Sequence, residues 1–222
     1  CKYAQKMKIA VLVDAEESWM QDSADTLLLD LMKDYNKESV VVYNTIQAYR
    51  WNRLDYLKEL YAIAKKENFK LGFKLVRGAY IEKERKRAEF KNIKSPICKT
   101  KADTDINFDN CLKFILKHLP DISLFLGTHN ENSTLLALKT LSNLNIKKND
   151  PRVWFGQLYG MSDHISFNLA KYEYNAAKYL PFGPVKDVMP YLIRRAEENT
   201  SVAGQTNREL ELIKKEIKRR NI

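Results

Sequence analysis

A chain of 222 residues with 45% hydrophobic and 11% aromatic content can bury one sizeable core and is too apolar to be disordered. No run approaches the length of uninterrupted apolar residues that a transmembrane helix requires. The net charge of +10, from 38 basic and 28 acidic residues, is diffuse except at Lys214, Lys215, Lys218, Arg219 and Arg220, so it admits an anionic partner or a plain solvated helix face.

The chain opens CKYAQKMKIA, with no signal-peptide pattern. The expectation is a cytosolic protein or a targeting segment upstream of Cys1. Residues 8–14 (KIAVLVD) predict a first strand. Residues 24–36 predict a helix with Leu27, Leu28, Leu31, Met32 and Tyr35 on one face. A Val-rich second strand spans residues 39–44, with Gln47 just beyond it. A helix over residues 51–68 follows, striped by Leu54, Leu57, Tyr61 and Ala64.

Residues 69–76 of the stretch FKLGFKLVRGAY have the composition of a strand buried on both faces. Gly78 breaks that pattern, and residues 82–87 read as a helix start. Residues 105–119 carry Phe108, Cys111, Leu112, Ile115, Leu116 and Leu119 at helical spacing, which makes Cys111 a core residue. A fourth strand over residues 122–127 ends at Thr128-His129-Asn130, and a helix spans 131–144. A fifth strand around 153–155 leads into Gly156 and Gln157. A sixth lies near 176–180. Helices over 186–200 and about 206–220 close the chain, the last with Leu210, Ile213 and Ile217 inward.

Six strand–helix alternations without a hairpin signal predict parallel strands with crossover helices. No G-x-G-x-x-G or P-loop sequence is present, which lowers the prior for a nucleotide-binding open sheet and leaves a (βα)8 barrel as the alternative. A barrel needs eight strands, so about two are expected upstream of Cys1. Polar residues fall at the carboxyl end of every strand: Asp14, Gln47, Lys74 with Arg77, Thr128 with His129, Gln157, and Tyr179. A barrel active site is built there, although ordinary strand-end chemistry could produce any one of them. The three cysteines fit neither a disulfide framework nor a zinc motif, and the three histidines lack metal-ligand spacing.

Seven segments resemble the proline dehydrogenase family in its order: VDAEES (13–18), YNTIQAY (43–49), KLVRGAY (74–80), GTHNENS (127–133), FGQLYGM (155–161), KYLPFGPV (178–185) and PYLIRRAEEN (190–199). The likeness is to the eukaryotic, mitochondrial branch. It implies a distorted (βα)8 barrel over residues 1–205, a basic terminal helix over 206–222, and non-covalent FAD. It also implies oxidation of L-proline to Δ1-pyrroline-5-carboxylate by hydride transfer from C5 to flavin N5. The electrons would pass to a membrane quinone on the matrix side of the mitochondrial inner membrane.

By that resemblance Asp14 is the active-site aspartate and Lys74 the catalytic cation near the flavin. Arg194 and Arg195 bind the proline carboxylate, a job suited to bidentate guanidinium pairing. Tyr179 packs on the substrate ring, and Leu158 and Tyr80 wall the pocket, with core packing as the alternative for both. Gln47, Arg77, Gly78, Ala79, Thr128 and His129 contact FAD. The family also carries a substrate-pairing lysine on an early strand, which would precede Asp14 by more residues than this sequence contains. A tyrosine at 179 favours proline over hydroxyproline. A hydroxyproline or other imino-acid dehydrogenase is the nearest alternative, and a basic lipid- or nucleic-acid-binding module is the rival from another class.

Overall fold

A computed structural model describes the backbone of residues 1–201 and 203–220 and the side chains of residues 1–193 and 210–220. In chain order the elements are α1 (Lys2–Met7), β1 (Val11–Leu12), α2 (Ser18–Tyr35), β2 (Val42–Gln47), α3 (Arg53–Glu67), β3 (Leu71–Val76), α4 (Ile81–Phe90) and α5 (Lys101–Lys117). There follow β4 (Ile122–Gly127), α6 (Glu131–Asn143), β5 (Val153–Leu158), α7 (Asp163–Lys171), β6 (Ala176–Tyr179), α8 (Val185–Ser201) and α9 (Ala203–Arg220). The chain divides into two compact units, one of residues 1–157 with 163–177, the other of residues 158–162 with 178–222.

The six strands lie side by side in the order in which the chain makes them. Pairing from β1 to β5 is parallel throughout. The bonds Phe155 N–Asn175 O and Tyr159 N–Tyr179 O, both 2.9 Å, advance in step along β5 and β6, so that pair is parallel too. A doubly wound sheet reverses its strand order at a switch point. This order has no reversal, which is the winding of a (βα) barrel.

The core of the first unit is a double layer. Leu71, Phe73 and Leu75 of β3 and Ile122, Leu124 and Leu126 of β4 are completely or almost completely buried against Leu57 of α3 and Phe108, Leu112 and Ile115 of α5. Each such side chain contributes about 1.5–3 kcal/mol by leaving water. The ends of α5 explain its length: Thr100 and Asp103 form a reciprocal capping box, so the helix starts at Lys101 and not at residue 105. At the end of α3, Asn68 takes a left-handed conformation (φ 54°), as a C-terminal residue of this type readily does.

Several sequence expectations need correction. The first strand is two residues long and is preceded by helix α1, which apolar patterning did not reveal. On α2 the inward stripe is Gln21, Asp25, Leu28 and Met32, while Leu27 is 60% exposed. The polar pair is buried because Asp25 collects Gln21 Nε2 at 2.7 Å, Asn44 Nδ2 at 2.8 Å and Arg53 Nη1 at 2.9 Å, a network that hydrophobicity cannot signal. The second strand lies three residues later than expected, at Val42–Gln47, and all six residues are buried. Its polar half survives burial because Asn44, Thr45 and Gln47 each find partners. On α9, Leu210, Ile213 and Ile217 are exposed (47%, 56% and 46%) and not inward. A helical apolar stripe shows only that a face exists, and among the described residues too little packs on this one to bury it. Cys111 is fully buried as expected, and burial pushes its thiol up to about 12, which leaves it inert.

Candidate active site

The register of β2 and β3 builds the first part of the site. Thr45 pairs with Lys74 and Gln47 with Val76. Side chains alternate along a strand, and paired residues on neighbouring strands share a face. Thr45, Gln47 and Lys74 therefore point the same way, and all three reach the segment after β1. Thr45 Oγ1 donates to Val13 O at 2.7 Å, and Gln47 Nε2 donates to Ala15 O and Glu16 O at 3.1 and 3.2 Å. Lys74 Nζ donates to Asp14 Oδ1 at 2.5 Å. The lysine side chain is mostly buried and the aspartate half-exposed, so the pair carries one face open to a ligand.

Arg77, three residues on, turns into the protein. Its Nε donates to Asp105 Oδ1 at 2.7 Å, Nη1 to Thr128 Oγ1 at 3.0 Å and Nη2 to Ser133 Oγ at 3.0 Å. The guanidinium lies 4.2 Å from the centre of the Phe108 ring. Ser133 passes the connection on to Asp109 Oδ1 at 2.9 Å. The cation thus ties the end of β3 to α5 and α6 and orients the Thr128 hydroxyl, which also accepts from Asn130 N at 3.1 Å. Burial pushes the Asp105 carboxyl up, but hydrogen bonds from Lys101 and Arg77 outweigh it and hold it below the usual carboxylate range. His129 is half-buried beside Thr128.

Gly78 follows with φ +118°, a conformation that side chains rarely adopt, and a Cβ there would stand 2.4 Å from the Tyr49 ring. The absence of a side chain thus lets the backbone approach the Tyr49 ring closely. Ala79 is exposed, and Tyr80 precedes α4 with its hydroxyl donating to Glu16. In the second unit Leu158, Tyr159, Met161, Tyr179, Leu180, Tyr191 and Leu192 line a pocket of about 370 Å³. Tyr179 and Tyr191 meet edge to face, ring centroids 5.8 Å apart. The Arg194 and Arg195 side chains lie outside the described residues.

The structure therefore joins Asp14, Lys74 and Gln47 in one cluster, Arg77 and Thr128 in a second, and Leu158 and Tyr179 in a third. Sequence reasoning missed Glu16, Glu84, Asp105, Asp109 and Ser133. Asp105 and Asp109 stand four apart beside the apolar stripe of α5, a spacing that puts two carboxylates on one helix face. That signal was available. Nothing in the sequence marks Glu84 among the charges of α4.

A flavin fits the residues present on one observation: Gln47 Oε1 is buried with no hydrogen-bond partner among the described residues, while the amide nitrogen beside it is committed to two carbonyls. A ring N–H donor would satisfy that oxygen.

A sequentially wound parallel sheet, with an ion pair, an orphaned acceptor and a glycine turn toward the carboxyl ends of its strands, defines a protein of the (βα)-barrel class, whose ligand sites lie at that end. The family model for proline dehydrogenase matches residues 1–208, and this chain belongs to the proline dehydrogenase family. It is 40% identical over 219 residues to mitochondrial proline dehydrogenase 1 of Dictyostelium discoideum, covering 96% of this chain and 38% of that protein. To the human protein of the same name it is 38% identical over 222 residues, covering 99% and 37%. The structure of proline utilization A from Bdellovibrio bacteriovorus inactivated by N-propargylglycine matches with a TM-score of 0.84 at 27% identity, over 94% of this chain and 22% of that one. The chain spans well under half the length of these relatives.

Proposed function

We propose that this chain forms most of the barrel of an FAD-dependent proline dehydrogenase, oxidising L-proline to Δ1-pyrroline-5-carboxylate and passing the electrons to a membrane quinone. The observation that carries this reading is the family match across residues 1–208. The meeting of Lys74 with Asp14 within the matching motifs supports it. The mitochondrial names of the relatives support a mitochondrial location.

FAD, when bound, supplies the two-electron acceptor for the oxidised C5–N bond of proline. Arg194 and Arg195 are assigned the substrate carboxylate, where charge-assisted bonds give both affinity and orientation. By the family resemblance Tyr179 is assigned the substrate ring, and Leu158 and Tyr80 are assigned pocket walls. Lys74 supplies positive charge where negative charge develops on reduction, and Asp14 holds the ammonium in place. Gln47 offers its Oε1 to the flavin ring. Thr128, His129, Gly78 and Ala79 are assigned further cofactor contacts. Arg77 is assigned there through its hold on the Thr128 hydroxyl, three of its N–H groups already being given to protein oxygens.

The test is a visible spectrum of the purified protein before and after L-proline. An oxidised-flavin spectrum that bleaches is the expected result. A flavin spectrum that bleaches with trans-4-hydroxyproline and not with proline would move the reading to the hydroxyproline enzyme. For the quinone step, the basic segment 206–222 is proposed to aid approach to an anionic membrane. Its deletion should lower binding to anionic vesicles, and unchanged binding would count against that part.

A further inference from the structure

Three consecutive residues at the start of α2 are held by residues at the start of α4. The Tyr80 hydroxyl donates to Glu16, and Lys83 pairs with Glu17. Ser18 donates its backbone N–H to Glu84 Oε1 at 2.6 Å and its hydroxyl to Glu84 Oε2 at 2.7 Å. The three ties differ in weight. The Lys83 ammonium is open to water although Glu17 is mostly buried, and a pair with one solvated partner is weakened by screening. Glu84 is 1% exposed, and both of its oxygens are engaged by one residue. Charge-assisted bonds away from water are the strong kind.

Glu84 also does a job that α2 does not do for itself. The residue before the helix, Glu17, makes no side-chain capping bond. A carboxylate from another helix sits instead at the first N–H, where the helix dipole favours negative charge. Asp14 lies four residues upstream. Around it the chain is tied to Thr45 at Val13, to Lys74 at Asp14 itself and to Gln47 at Ala15 and Glu16. Glu84 is the buried anchor at the far end of that short span.

We propose that Glu84 is a positioning residue: by holding the start of α2 it fixes residues 14–18, and so keeps Asp14 against Lys74. This rests on the reading of Asp14 and Lys74 as the active-site pair. It adds a residue that touches neither substrate nor cofactor in that reading.

Two variants test it from opposite sides. Glu84→Gln removes the charge and keeps the shape. Ser18→Pro removes both donors from the other side; proline is tolerated at the first helical position, and Glu17 already has the extended backbone (φ −66°, ψ 152°) that a residue before proline adopts. The first readout is amide hydrogen exchange in the flavin-free protein. Exchange in a peptide covering residues 14–20 should quicken about ten-fold or more in both variants, with β3, β4 and α5 peptides unchanged. The second is flavin reduction by proline in the loaded enzyme, where the limiting rate should fall more than the proline KM rises, with flavin content kept.

Unchanged exchange at 14–20 overturns the proposal, as does uniform acceleration in every peptide, which would mark a role in global stability alone. A loosened loop with an undiminished rate overturns it as well. If the unaltered protein holds flavin that proline does not bleach, the reading of the function fails, and the exchange data still decide whether Glu84 holds the loop.

Discussion

Lys74 and Asp14 are sixty residues apart in the chain, and their side chains meet at 2.5 Å with β2 between their strands. The contact exists because Lys74 is in register with Thr45, whose hydroxyl holds the carbonyl of Val13 next to the aspartate. If the ammonium stabilises charge that develops during proline oxidation, Lys74→Met should slow flavin reduction about 10²–10³-fold, the loss typical of one preorganised electrostatic group. Stopped-flow absorbance in the loaded enzyme measures it. A rate within a factor of two of the unaltered protein would remove Lys74 from the site.

Arg77 works as a three-armed tie, and lysine cannot copy it. Arg77→Lys keeps the charge but loses the planar fork that serves Asp105, Thr128 and Ser133 together. The expected result is a stability loss of about 1–3 kcal/mol in urea unfolding, with weaker flavin retention. Full stability with full flavin content would show that the three bonds do not act as a unit.

The Asp25–Arg53 pair is buried on both sides, at 2.9 Å. Arg53→Met takes away the cation that is hydrogen-bonded to the Asp25 carboxylate. Breaking a buried pair in this way costs about 3–5 kcal/mol. Replacing both residues with apolar ones of similar size should recover part of that loss. A double-mutant cycle read by chemical denaturation checks both statements.

Carboxylates that partners hold down resist protonation, and the fold loses their contribution only when strong acid forces it. The hydrogen bond from Arg152 keeps Asp150 below the usual carboxylate range, against the effect of burial. A folded-state pKa below the unfolded one stabilises the fold above the unfolded value, about 3.9. That contribution is lost as pH falls through the folded value. The stability gap between the unaltered protein and Asp150→Asn should therefore be largest near neutrality and close on acidification. Unfolding midpoints from about pH 7 to about pH 2 test this, and a gap that stays constant would show that the interaction is not charge-dependent.

Strand β4 and the helix after β3 were legible because a continuous apolar run bounded by a glycine, and a charged run after one, have few other uses. Helix α1, the length of α2 and the position of β2 were not. Polar groups satisfied in the fold carry no apolar signal: Asn36, between α2 and β2, is fully buried, accepting from Val41 N and Val42 N and donating to Val42 O. Motif likeness pointed to Asp14, Gln47, Lys74, Arg77 and Thr128. It did not indicate that Arg77 faces Asp105, or that Gln47 leaves one buried oxygen unpaired.

By itself the sequence determined the alternation of strand and helix, the parallel class of the sheet and the family, because periodicity and ordered motifs are local and survive without coordinates. The tertiary structure alone decided which polar groups meet. Whether Lys74 reaches Asp14, or Ser18 reaches Glu84, depends on strand register and on two helices brought side by side. Hydrogen bonds act over about 3 Å, so a pairing between residues 60 or 66 positions apart is written in the packing and has no signature in the spacing.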